Sequence, residues 1–166
     1  MSVPDSAERA FGAHDAFERD GDAFVVTTTA FDGRVTASEA SDWANRYTVT
    51  VRAPMLSAVT AEEVGPDLES GWFDTFERRL EDAPGAVRDR VELAAFDLQQ
   101  DGSDAVVTFG FEWGNADRAP DIAKALAEYV EGTYMEGIVP GFDYQEPVDS
   151  MLSAGSLDDG AGGTPL

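Results

Sequence analysis

The sequence predicts an α+β domain of order α-β-β-β-α-β-β-α, a five-stranded antiparallel sheet with helices packed on it. Three observations carry this. Apolar residues recur at helical spacing in three separate segments. Five runs rich in β-branched and aromatic residues lie between them. Two Asp-Gly signals, Asp32-Gly33 and Asp101-Gly102, mark turns between neighbouring runs, as expected of antiparallel hairpins.

The first helix is expected from Pro4 to Phe17, with Ala7, Ala10, Phe11, His14 and Phe17 as its apolar stripe and Asp20-Gly21-Asp22 as its breaker. Phe24 to Phe31 reads as the first strand, and the Asp32-Gly33 turn leads into a second, from Arg34 to Ser38. In the third, Arg46 to Ala53, Tyr47, Val49 and Val51 alternate with Thr48, Thr50 and Arg52, so one face is buried and one is wet. The connector Met55 to Pro66 contains Thr60-Ala61-Glu62-Glu63, the pattern of a capping box.

The second helix is expected over Asp67 to Asp82, with Leu68, Trp72, Phe73, Phe76 and Leu80 on its apolar side and Pro84-Gly85 as its stop. Strands at Val91–Leu98 and Ala105–Trp113 flank the Asp101–Asp104 turn. The third helix runs from Pro120 to Tyr134, facing inward through Ile122, Leu126, Tyr129, Val130 and Thr133. Residues 137–144 are apolar but irregular. One domain is therefore expected over 1–153, followed by a disordered Gly-rich acidic tail at 154–166.

Composition narrows the chemistry. The net charge is −22, the acidic residues are spread along the whole chain, and of 11 basic residues Lys124 is the only lysine. Ala, Gly and Val are abundant, while isoleucine occurs only at positions 122 and 138. This resembles the cytoplasmic proteins of halophilic archaea. Molar salt shortens the Debye length to about 3 Å and screens the mutual repulsion of the carboxylates. No cluster of lysines and arginines suits nucleic acid, and no apolar run suits a membrane. A cytoplasmic location is expected from the N-terminus, which lacks a signal-peptide pattern. The absence of cysteine removes disulfides, thiolate catalysis and Cys-ligated metals.

No catalytic, cofactor or metal residues are expected. His14 is the only histidine and falls on an apolar stripe, so it reads as a boundary residue; no Gly-x-Ser-x-Gly elbow accompanies it. The pairs Asp20/Asp22, Glu62/Glu63, Asp101/Asp104 and Asp158/Asp159 have no calcium-loop spacing. Arg78, Arg79, Arg88 and Arg90 suit either a small anion site or the C-terminus of a helix. The aromatic residues are the best lead. Trp43 lies in a polar link, and Trp113, Tyr134, Phe142 and Tyr144 are expected to cluster near the C-terminal connection. With Ile138 and Val139 they form the candidate partner-binding set. The competing reading is that 137–144 simply closes one end of the core.

The stretch Glu131-Gly132-Thr133-Tyr134, continuing through Gly137-Ile138-Val139-Pro140-Gly141 to Tyr144, resembles a family of small haloarchaeal proteins of unknown function, with the likeness covering about Ala7 to Ala154. The order of elements is similar to that of type III secretion chaperones, which implies a homodimer that binds a segment of another protein. Two functions follow as expectations: a non-enzymatic protein-binding or adaptor domain, taking another protein or a second copy of itself, or a small-molecule-binding domain or hydrolase with a carboxylate-lined cleft. Salt dependence is testable at once. Transfer from molar salt to dilute buffer lowers the melting temperature; equal values in both would overturn the salt-adaptation reading.

Overall fold

The computed structural model describes residues 3–154. The expected tail lies outside the described residues, apart from Ala154, which ends a helical stretch at 148–154. The chain runs α1 (Asp5–Gly12), β1 (Phe17–Asp20), β2 (Ala23–Val26), β3 (Asp32–Glu39), β4 (Asn45–Pro54), α2 (Pro66–Leu80), β5 (Ala95–Asp101), β6 (Asp104–Trp113) and α3 (Ala119–Glu136). It is α+β with an antiparallel sheet, but the sheet has six strands rather than five, ordered β1-β2-β3-β4-β6-β5.

The extra strand corrects the reading of residues 13–33. Phe17 falls at helical distance from Phe11 and His14, yet α1 stops at Gly12 and Phe17 opens a strand. Asp20-Gly21-Asp22 is a hairpin turn rather than a simple breaker: Asp20 pairs with Ala23, and Gly21 takes the left-handed φ of 62° that the turn demands. The expected strand Phe24–Phe31 keeps only its first half in the sheet. Asp32-Gly33, expected as a turn, lies inside β3, paired with Arg52 and Val51 of β4. Gly33 is needed for close approach instead. A Cβ there would lie 3.2 Å from Val26 Cγ2 and 3.8 Å from Ala127 Cβ on α3.

The remaining elements agree more closely. β4 alternates as expected, with Tyr47, Val49, Val51 and Ala53 buried. β5 begins at Ala95, four residues later than Val91, although Val91 itself is buried. Asp101 and Asp104 pair across a turn in which Gly102 has a φ of 62°. The Thr60–Glu63 pattern caps no helix; the Thr60 hydroxyl bonds the Glu62 carbonyl locally.

The helices lie on one face of the sheet. α3 buries Ile122, Leu126, Val130, Thr133 and Tyr134, and its Ala119, Ala123 and Ala127 bring the helix close to the strands. Under α1, Phe11 stacks on Phe24 at 4.8 Å and meets Phe17 edge-on at the same distance. Tyr47 and Phe111 stack at 5.3 Å on adjacent strands. Each such fully buried side chain contributes about 1.5–3 kcal/mol. The opposite face, with Arg34, Arg46, Thr48, Thr50, Arg52 and Thr108, is wetter.

The link between β2 and β3 is tied to α3 by Glu131, whose carboxylate accepts the Ala30 N–H at 2.9 Å. Burial pushes the Glu131 carboxyl above its ordinary range, against the lowering effect of the Ala30 and Phe31 amides. A raised carboxyl disfavours the ionised native state, so the cost is present above the native pKa and absent below the unfolded one. Glu131→Gln therefore raises the melting temperature at neutral pH, and the gain disappears by about pH 3. A variant no more stable than wild type at neutral pH would contradict this.

Candidate functional site

The expected aromatic set is divided between opposite ends of the sheet. Trp113 pairs with Asn45 at the start of β4, and Trp43 lies beside it in the β3–β4 turn. Tyr134 reaches the other end, where its hydroxyl donates to the Pro54 carbonyl at 2.9 Å. The ten residues of β4 separate the two by roughly 30 Å. Trp113 therefore does not cluster with Tyr134, Phe142 and Tyr144. The interleaved order of β4 and β6 decides this, and spacing along the chain carries no sign of it.

Around Tyr134, the segment 137–144 closes the core. Tyr144 forms an isolated bridge with Thr60. Ala61 N–H donates to the Asp143 carbonyl at 2.9 Å, and Gln145 N–H to the Val59 carbonyl at 2.7 Å. The Glu62 carboxylate accepts the Asp143 N–H at 2.9 Å. The Tyr144 hydroxyl donates to the Val139 carbonyl and accepts the Val139 N–H, pinning the loop across its own base. Burial raises the pKa of both tyrosines above the ordinary phenol range, so both stay neutral donors. Tyr134 is fully buried among Phe31, Trp72 and Phe76.

Closure is incomplete on the side facing α2. A groove of about 480 Å³ runs between α2 and the end of α3. Its walls are Leu68, Trp72 and Phe76 on one side and Ile138 and Val139 on the other, over Tyr134. Leu68 is 43% exposed although it begins the apolar stripe of α2. Asp67, Glu136 and Arg79 contribute the charges. Three expected residues, Tyr134, Ile138 and Val139, thus line one groove, while Phe142 and Tyr144 hold the adjoining loop. Leu68, Trp72 and Phe76 were expected only as core; the signal was their heavy stripe, one turn longer than the structure buries.

The titratable groups are engaged structurally. His14 lies beyond α1, where its Nε2–H donates to Asp121 Oδ1 at 2.8 Å and its Nδ1 accepts the Ala16 N–H at 3.2 Å. That pairing engages both ring nitrogens and leaves neither free as a base. Asp121 also binds Arg118, which forks onto Asp89 at 2.8 and 3.1 Å. The Arg118 hydrogen bond holds the Asp89 carboxyl below its usual range. Asp20 pairs with Arg34, and Asp101 and Asp104 both pair with Arg52. Asp158/Asp159 lie outside the described residues. No group of three or more His, Asp or Glu side chains is placed to hold a metal ion among the described residues, and no described helix is long and apolar enough to cross a membrane. Of the four arginines singled out, Arg78 and Arg79 occupy the last turn of α2, as its dipole favours. Arg88 lines a separate depression with the Asp89–Arg118 pair.

Fold and groove together define a small α+β domain with an apolar cleft at one end of a one-sided sheet. The chain belongs to a family of unknown function, DUF5813, whose profile matches residues 12–154. No curated protein and no solved structure gave a match. The loop clamp is directly testable. Tyr144→Phe removes both hydroxyl bonds and lowers stability by about 1 kcal/mol, with faster hydrogen exchange at the Val139 amide. Unchanged exchange there would show that the segment is held by packing alone.

Proposed function

We propose that this is a non-enzymatic binding domain whose α2–α3 groove receives an apolar segment of a partner protein. The observation that supports it is Leu68, left 43% exposed on a groove that Trp72, Phe76, Ile138 and Val139 line together with Asp67, Arg79 and Glu136. A groove of about 480 Å³ suits a few apolar side chains, the anchors of an amphipathic helix or a short extended stretch. Its charged groups are Asp67, Glu136 and Arg79, and the one histidine of the chain is engaged elsewhere. Apolar contact also suits the proposed high-salt cytoplasm, because salt screens ion pairs but not burial of apolar area. The role is chaperone-like in the sense of shielding a segment, and a second copy of the chain is the simplest alternative occupant.

Selection of a random peptide library in molar salt, with Leu68→Asp as the counter-selection, tests this. Enriched peptides carry apolar residues at i, i+3 or i+4, and bind Leu68→Asp at least tenfold more weakly, as expected for losing one buried leucine contact. Lack of enrichment, or equal binding to Leu68→Asp, overturns the proposal. A wild-type mass of twice 17.8 kDa that falls to 17.8 kDa in Leu68→Asp would instead assign the groove to self-association.

A further inference from the structure

The other end of the sheet carries a second surface, independent of the groove. Trp43 is 74% exposed, the larger of the two exposed large apolar side chains among the described residues. A tryptophan left in water forgoes the favourable burial of the largest side chain. It is nevertheless held in place. The turn that bears it is closed by the Ala40 and Ser41 N–H groups, both donating to the Ala44 carbonyl at 3.1 Å. A Cβ at Gly114 would lie 3.1 Å from the Trp43 carbonyl oxygen and 3.4 Å from ring carbon Cε3. The indole therefore rests close against the Gly114 backbone, where a side chain would fit only tightly, and the rest of the ring is presented to solvent.

Beside the ring is a depression of about 840 Å³. Asp5, Glu39 and Asp42 line it, with Ser6, Ser41 and Asn45 between them, and no described arginine or lysine does. None of these three carboxylates forms an ion pair among the described residues, as is true of most acidic side chains there. The three do not converge as metal ligands do. Spread along a wall beside an exposed indole, they match several cationic groups carried on one extended chain. The indole face accepts a guanidinium or ammonium, and the carboxylates take its neighbours.

We infer that the Trp43 end of the molecule docks a basic segment of a partner protein, an arginine or lysine seated on Trp43 and flanking cations paired with Asp5, Glu39 and Asp42. The charge of this surface is of one sign, which fits a basic protein segment and excludes the phosphate backbone of nucleic acid. Salt screening weakens the carboxylate contacts more than the contact with the ring.

The test is a titration of the full chain in molar salt with a short peptide carrying two arginines among neutral residues, followed by amide chemical shifts. The expected result is shifts confined to the β3–β4 turn and Gly114, and at least tenfold weaker binding by Trp43→Ala. Gly114→Ala, whose methyl crowds the Trp43 carbonyl at 3.1 Å, weakens binding as well. Trp43 is too exposed for its loss to unfold the chain, and an unchanged melting temperature checks this. Shifts scattered over the acidic surface, or equal affinity in Trp43→Ala, would reduce the binding to non-specific charge and overturn the proposal. The same shifts produced by magnesium alone would make the site a cation site and overturn it too.

Discussion

A sheet with one apolar face must be covered, and the coverage of β4 and β6 by α3 is the contact on which the other parts of this structure depend. Ile122, Leu126, Val130 and Tyr134 supply the apolar surface, and alanines at 119, 123 and 127 let the helix approach. Gly33 eases the fit, since a Cβ there would crowd Val26 at 3.2 Å and just reach Ala127 at 3.8 Å. Overpacking in a well-packed core costs about 1–3 kcal/mol. The polar parts of the contact are satisfied as well: the Tyr134 hydroxyl bonds the Pro54 carbonyl, and no described buried side-chain nitrogen or oxygen lacks a partner.

Both candidate surfaces arise from where that coverage ends. At the Pro54 end of β4 the helix runs out, and 137–144 folds back over the core through its bonds to 59–62. Because α2 enters from the side, starting with Pro66 and Leu68, its first turn has no partner helix to bury it, and an apolar cleft remains. At the Asn45 end, the β3–β4 turn lies beside the start of α1 and carries Trp43 into solvent. The Asn45 amide bonds Ser6 and the Tyr47 hydroxyl, joining this end to α1 and the core.

Charge is distributed with a similar economy. The few arginines on the open sheet face are each spent on local carboxylates: Arg34 on Asp20 and Asp32, Arg46 on Glu112, Arg52 on Asp101 and Asp104. Exposed pairs of this kind stabilise little individually. Their larger effect is to lower the charge density of the wet face, which leaves the unpaired acidic surface elsewhere, including beside Trp43.

Period and turn chemistry in the sequence by themselves determined the α+β class, the alternation of β4 and β6, the Asp101–Asp104 hairpin and helices α2 and α3 nearly to their ends. These are local properties, set by which residues suit a pleat, a cap or a left-handed turn. The sequence also marked Tyr134, Ile138 and Val139 as a group, because they are close in the chain. Only the tertiary structure decided the rest. Phe17 has the spacing of a helix residue but packs as a strand residue, paired with Val26 in the sheet and edge-on to Phe11. Asp32-Gly33 has turn chemistry but sits in a strand, paired with Arg52 and Val51 of β4. Trp113 was parted from Tyr134, and Leu68 joined to Ile138, by strand order and helix placement, which depend on burial summed over the whole chain rather than on any short stretch of it.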